Sequence, residues 1–353
     1  MKSYLDLIKE CDAFPYPGTP EHNTLLSTLW TLTTTSPNHA DPIPVGYLLE
    51  PVANKLIEAL TATESENDPS NPPTTKSEFE INTSTRTIKA FTQPTEPLRS
   101  AAVAKILRTW GDHQTFSVLS GWRNELYPIY GPNNELLFTM ERSASPLFGI
   151  NTYGVHMTCY TPISDDEKTT SGSAFDFKLW IPRRSRTKQT YGSMLDNTVA
   201  GGISSGEGPF ESIIREADEE ASLPSELVRA KIQSKGTVSY IHVRTAAAGG
   251  ETGLIMPEIQ YIYDLELPND VIPKIKDGEV EAFYCWTVEE TIGHLVRGEF
   301  KPNCALCLVD FFMRRGVVRR GEEGEGWGVM ERGCRRVMPF AVWAAYGGCE
   351  GEL

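Results

Sequence analysis

The sequence predicts an α+β fold around a mixed β-sheet, preceded by a smaller α/β N-terminal domain, and three observations predict it. Aromatic and β-branched stretches recur from Trp122 onward, as half-buried strands require. A few helical segments interrupt them, without the regular β-α-β alternation of a parallel sheet. The chain has 353 residues, 40% hydrophobic and 23% charged, enough for one large or two ordinary folded domains.

Residues 1–60 carry compact mixed structure. VANKLIEAL, ending at Leu60, has the i, i+3, i+4 apolar spacing of a helix, and Val45-Gly46-Tyr47-Leu48-Leu49 precedes it. The polar, proline-bearing TATESENDPSNPPTTKSE has almost nothing to bury, so residues 61–78 read as a flexible insertion. FEIN is strand-like, and PLRSAAVAKILRTWGDH reads as a second helix. RNELYPIYG and NELLFTMER suit a β-hairpin around Gly131-Pro132-Asn133-Asn134, and YGVHMTCYTP alternates like a strand. SDDEKTTSGSA reads as a loop, FKLWIPRRS as a strand, and VAGGI as the lead into an acidic helix. KGTVSYIHVR and EIQYIYDLELP are further strands. EAFYCWTVEETIGHLVRG is a strand turning into a helix, and CALCLVDFFMRRG is another helix. The Gly-rich RRGEEGEGWGVMERGCRR reads as a solvated loop. These limits give an N-terminal domain over 1–121, a main domain over 122–316 and a C-terminal tail over 317–353.

A net charge of −14 argues against a duplex nucleic-acid binder, which needs a basic face. No apolar run approaches the roughly 20 residues that span a bilayer, so no membrane partner is expected. MKSYLDLIKECDAFPYPG has early acids and no long apolar core, so a cytoplasmic protein is expected. Seven cysteines, an odd number spread along the chain, do not suggest a disulfide framework. Cys304 and Cys307 form a C-x-x-C inside an apolar helix, where core packing outweighs zinc or redox chemistry.

The chemistry concentrates in Gly201-Gly202-Ile-Ser-Ser-Gly-Glu207, then seven residues, then Arg215-Glu216-Ala-Asp-Glu219-Glu220. On a helix, Glu216, Glu219 and Glu220 share one side, while Phe210, Ile213, Ile214, Ala217 and Ala221 share another. Three close carboxylates repel, and a hard divalent cation reverses that sign because it wants oxygen ligands. The glycines allow a tight loop and leave main-chain atoms accessible. A lone E-x-x-E-E is usually a solvated acidic face, but here a Gly-rich loop, Glu207 and Arg215 accompany it at fixed offsets.

The pattern G-x5-E-x7-R-E-x-x-E-E closely resembles the Nudix box. Ala217 stands where a larger aliphatic is usual and Ser222 where a glycine is usual, while Leu223 keeps the final aliphatic. The resemblance implies a Nudix α/β/α sandwich and hydrolysis of a diphosphate by water with Mg2+ or Mn2+. It implies metal ligation by Glu216, Glu219 and Glu220 with a main-chain oxygen near Gly201. Arg215 would orient the carboxylates, and Glu207 would support the loop. A catalytic base often lies outside the box. Glu279 and Glu281 come after the predicted strands and are candidates, set against an exposed edge strand; Glu220 or another box glutamate is the alternative.

GWRNELYPIYG, ERSASPLFGINTYGVHMTCY, WIPRRSRTKQTYGSMLDNTVAGG and READEEASLP are similar to a narrower Nudix group, related to the N-terminal half of fungal thiamine pyrophosphokinase fusion proteins. That likeness runs from near Tyr4 to about Arg315. It implies a substrate such as thiamine diphosphate or its oxo- and oxythiamine analogues, hydrolysed to the monophosphate. The segment C-terminal to the box domain is too short for a kinase domain of usual size, so kinase activity is not expected. Trp180, Arg183, Arg184 and Arg186 suit a ring-bearing diphosphate, against the plainer reading of solvated arginines. Asp196 and Asn197 favour structural hydrogen bonding, and His156 and Tyr153 core packing; Trp122 and Arg123 are ambiguous. The expected partner is a small diphosphate, with a homodimer as the open oligomeric state. Competing readings are a hydrolase of another nucleoside- or sugar-linked diphosphate, an isomerase, and a catalytically silent binding module.

Overall fold

The computed structural model describes residues 1–65, 79–320 and 326–345. The chain opens with α1 (Tyr4–Cys11), started by a reciprocal Ser3–Asp6 capping box, and α2 (Pro20–Leu26). Strands β1 (Trp30–Thr34) and β2 (Ile43–Leu48) lead to α3 (Glu50–Ser65). Strands β3 (Glu80–Asn82) and β4 (Thr87–Lys89) precede α4 (Glu96–Asp112). The sheet runs β2-β1-β4-β3, with β1 and β4 parallel. The hairpin β5 (Leu126–Tyr130) and β6 (Leu136–Glu141) comes next, then the single turn α5 (Ser145–Phe148). Leu32, Leu56, Leu107, Leu137, Phe138 and Phe148 join one core, so the hairpin packs with the N-terminal elements.

The second sheet comes from β7 (Thr152–Pro162), β8 (Phe177–Arg184) and β9 (Val199–Gly202), with α6 (Asp165–Ser171) between the first two. Helices α7 (Pro209–Ala221) and α8 (Ser225–Lys231) precede β10 (Gln233–Val243), β11 (Ile255–Glu266) and β12 (Val280–Thr287). The remaining helices are α9 (Val288–Val296), α10 (Pro302–Arg314) and α11 (Gly326–Cys334). The order is β10-β11-β7-β8-β12, with β9 on β7; β11 and β7 are parallel and the other pairs antiparallel. Alternation along the strands sends Val155, Met157 and Ile259 toward α7 and α8, and Leu179, Ile181 and Ile262 toward α10, α9, α1 and α11. The sheet is thus the filling of an α/β/α sandwich, and the mixed-sheet α+β expectation holds. Among the described residues no helix is long and apolar enough to cross a membrane.

Three readings change. SDDEKTTSGSA is not all loop, because a Ser164–Glu167 capping box and left-handed Gly172 bound α6. The Gly-rich tail is not simply solvated, because Met330 and Cys334 of α11 are buried in the second core. Gly333 lies so close to Ile8 that a Cβ would overlap it, which lets α11 approach α1. Packing also cuts across the limit drawn at 121/122: α1 belongs with the second sheet, and the hairpin with the first core. The insertion at 61–78 lies outside the described residues from 66 onward, and α3 runs to Ser65.

Candidate active site

The predicted acidic helix is α7, entered through Gly206 at φ +88° and Gly208 as N-cap, with Pro209 in the first turn. Ile213, Ile214, Ala217 and Ala221 are buried against the sheet, so Ala217 fills the aliphatic slot with little volume. Ser222 ends the helix at φ +53°, a left-handed conformation that explains why a glycine suits this position.

Arg215 lies at the centre of the acids. It donates to both carboxylate oxygens of Glu207 (2.8 and 3.0 Å) and to Glu219 (2.8 Å), and pairs with Glu216 at 3.0 Å. Glu219 is half-exposed, while Glu216 is mostly buried against Gly201, where a Cβ would overlap its carboxylate. Burial pushes the Glu216 carboxyl up, opposed by Arg215 and reinforced by Glu219. Glu220 is buried and accepts from the Ala200 N–H at 3.0 Å; burial, then Glu216 and Asp196, pushes its carboxyl up too. Among the described residues no three His, Cys, Asp or Glu side chains are already assembled as a metal cage. The donor set still fits a hard divalent ion: oxygen ligands, two of them carboxylates whose burial favours the proton and which a divalent cation would hold charged.

Glu207, Arg215, Glu216, Glu219 and Gly201 open onto a cavity of about 930 Å³. Its other walls come from the hairpin region, the β8–β9 loop and the ends of β10 and β11. Arg123 and Arg142 reach it from the N-terminal side, and Arg184, Lys188 and Lys301 from the main sheet. Glu125 accepts from Arg142 (2.8 Å) and from Ser204 of the box loop (2.9 Å), tying the hairpin to the box.

The substrate-side residues separate. Arg184 lines the cavity, and its 2.5 Å pair with buried Asp196 is flanked by Cys304, which donates its thiol to Asp196 at 2.6 Å. Burial alone would raise the Asp196 carboxyl, but Arg184 and Lys301 hold it well below the usual range. Trp180 does not reach the cavity: it packs in the core under α7 and donates Nε1–H to Thr161 at 2.8 Å. Arg183 donates to Tyr284 and to the Ser193 carbonyl, and Arg186 extends into solvent beside Glu281 at 3.5 Å. Glu279 lines the cavity but is ion-paired to Lys188, and both border a narrow cleft with Glu220. His156 is buried against Asn197 (2.7 Å), and burial pushes its imidazole down to about 4, leaving it neutral. Tyr153 also lines the cavity, while its hydroxyl accepts from the Trp343 N–H at 2.9 Å. Trp122 packs against the N-terminal core instead.

Sequence reasoning missed Glu125, Arg142, Lys188, Glu258 and Gln260. Strand alternation could have placed the last two on one face, but nothing local marks the others.

Residues 169–304 match the NUDIX domain family, and residues 79–152 match a domain of unknown function, DUF4743. An uncharacterized protein of Saccharomyces cerevisiae, YJR142W, is 37% identical over 246 residues, 69% of each chain. Arabidopsis thaliana Nudix hydrolase 20, chloroplastic, is 36% identical over 64% of this chain and 55% of its own length. Nudix hydrolase 24, chloroplastic, from the same plant is 33% identical over 64% and 57%. The chain thus spans little more than half the length of these plant relatives. With the box folded as a loop and helix on a mixed sheet, these matches carry one conclusion: the chain belongs to the Nudix hydrolases and is an enzyme of that diphosphate-cleaving family.

Proposed function

We propose that this enzyme hydrolyses thiamine diphosphate or its oxo- and oxythiamine analogues to the monophosphate, in the cytoplasm, with Mg2+ or Mn2+. The observation that carries the reading is the meeting of the box carboxylates with a large cavity whose walls mix cations and tyrosines. A diphosphate needs the first and an attached ring system the second. Six described cysteines are unpaired thiols, in keeping with a reducing compartment.

Glu216, Glu219, Glu220 and the Gly201 carbonyl would hold the metal. When bound, it would neutralise phosphate oxygens and make water more acidic. Arg215 keeps Glu216 and Glu219 together. Arg184 and Lys188, paired with Asp196 and Glu279, bring cations to the cavity wall beside Glu220, where their remaining N–H groups would meet phosphate oxygens. Glu220 is a better base than Glu279, because Lys188 already occupies Glu279. Trp180, Arg183 and Arg186 drop out of the ring-binding set on their positions.

The test is product release from thiamine, oxythiamine and oxothiamine diphosphates, ADP-ribose, NADH and dinucleoside polyphosphates, with either metal, beside Glu220→Gln. Metal-dependent monophosphate release from the thiamine compounds, reduced about 10²-fold or more in the variant, is expected. Turnover of nucleotides alone would keep the hydrolase and remove the thiamine assignment.

A further inference from the structure

The cavity wall farthest in the sheet order from the box carries a polar group that the diphosphate chemistry does not use. Gln260 is 5% exposed, and its Oε1 has no hydrogen-bond partner. Its amide orientation is fixed by the other end: Nε2 donates to Glu258 Oε2 and to the Tyr240 hydroxyl, both at 2.9 Å. Flipping the amide would set two oxygens against each other at the Glu258 contact. The Tyr240 hydroxyl in turn donates to the same Glu258 Oε2 at 2.6 Å. Glu258 therefore has one oxygen fully engaged, while no described residue donates to Oε1 or forms an ion pair with the carboxylate. All three side chains line the cavity beside Met256. The wall thus presents the free Glu258 oxygen beside an apolar surface, while Gln260 Oε1 is closed off against Gly154. A carboxylate held by Gln260 and Tyr240 at one oxygen and free at the other is oriented to accept from a ligand that donates.

Its place relative to the box is set by strand register. Gln260 is paired with Gly154 across β11 and β7, and Gly154 with Gly202 across β7 and β9. Two strand spacings, about 10 Å, therefore separate this wall from the loop against which Glu216 packs. Gln260 Oε1 itself fills the space over Gly154, where a Cβ would overlap it, which fixes the amide against β7.

We propose that Glu258, held in place by Gln260 and Tyr240, forms the ring-recognition end of the substrate cavity. It accepts from an N–H-bearing nitrogen heterocycle, amino or lactam in type, that a short linker joins to the diphosphate. The inference rests on the reading of this cavity as the hydrolase's substrate site, and it names which residues choose the organic half. It does not require the heterocycle to be that of thiamine.

Two measurements on the full chain test it. Hydrolysis of oxythiamine diphosphate is compared with that of ethyl diphosphate, which has no ring, in wild type, Glu258→Gln and Gln260→Met. The ratio of kcat/KM for the ring substrate to that for ethyl diphosphate falls about ten- to a hundredfold in each variant, through KM. Calorimetric binding of metal-free enzyme to oxythiamine and to adenosine, neither bearing phosphate, weakens for at least one ring by about tenfold in the same variants. An unchanged ratio in the isosteric Glu258→Gln, with wild-type thermal stability, overturns the inference and leaves the hydrolase standing. Heterocycle binding that depends on Glu258, in a wild type that cleaves no diphosphate, supports the inference and removes the hydrolase reading instead.

Discussion

Removing the Arg336 guanidinium is expected to cost more stability than any change on the exposed surface. Arg336 and Asp12 are 3% and 1% exposed at their side chains and pair at 2.8 Å. The same guanidinium donates to the Phe14 and Pro15 carbonyls at 2.7 Å, while Asp12 also accepts from the Ile241 N–H at 2.9 Å. One side chain thus joins the segment after α11, the segment after α1 and the edge strand β10. Arg336→Met leaves a buried carboxylate without its cation, and breaking one partner of such a pair costs about 3–5 kcal/mol. Against a total of roughly 5–15 kcal/mol, that is a large share. Asp12→Asn leaves the guanidinium its two carbonyls, so its cost is smaller. Combining the two removes the stranded charge, so the double variant loses less than the sum of the singles, by about 0.5–3 kcal/mol. Urea midpoints of the four proteins complete the cycle. A loss under about 1 kcal/mol for Arg336→Met, or strict additivity, would refute the view that this end of the chain is part of the folded core.

The site carries three further expected outcomes. Metal affinity should rise with pH, because burial raises the Glu216 and Glu220 carboxyls and a metal must displace their protons. For the metal-free protein the sign is opposite: a raised folded-state carboxyl stabilises at low pH, and that gain is lost as pH climbs from the unfolded glutamate range through the folded one. Calorimetry in buffers of different ionisation enthalpy counts the protons released, and an affinity flat in pH would sink the assignment. Ser222→Gly should add about 1 kcal/mol to unfolding stability at unchanged kcat, because φ +53° is costly with a Cβ; no gain in the urea midpoint would mean that the strain is absent. Arg142→Met should raise KM for a diphosphate substrate about tenfold through the loss of one charge-assisted contact. If unfolding stability falls while KM stays put, Arg142 serves only its pair with Glu125.

Features with a short-range signature were the ones that could be read in the sequence. The box was legible because metal chemistry, a tight loop and an amphipathic helix fall within 23 residues, Gly201 to Leu223. The hairpin and the long strands were legible from alternation. Helix α6 was not, because no residue of it is buried and it has no apolar period to show; its cap residues were the only signal. Trp180 shows a different failure. An aromatic beside arginines suggests a ring site, yet alternation turns Trp180 under α7 while Arg184 alone of the three arginines reaches the cavity. The cations at 123 and 142 come from a unit whose contact with the box no local pattern encodes.

The adjacent glycines Gly201 and Gly202 carry part of that missing information. Neither has positive φ, so backbone freedom is not why they are glycine. At Gly201 a Cβ would overlap the Glu216 carboxylate, a neighbour from within the box. At Gly202 it would overlap the Tyr127 hydroxyl, a neighbour from the hairpin, with the Arg142 guanidinium 3.3 Å away. One glycine thus serves the box helix α7, and the next admits the N-terminal unit. Arg142 lies 5.3 Å over the Tyr127 ring, so a side chain at 202 would displace both hairpin residues that line the cavity there. With Ser204, which bonds Glu125, Gly202 is therefore a place in the box where the sequence records that a second unit helps to wall the site.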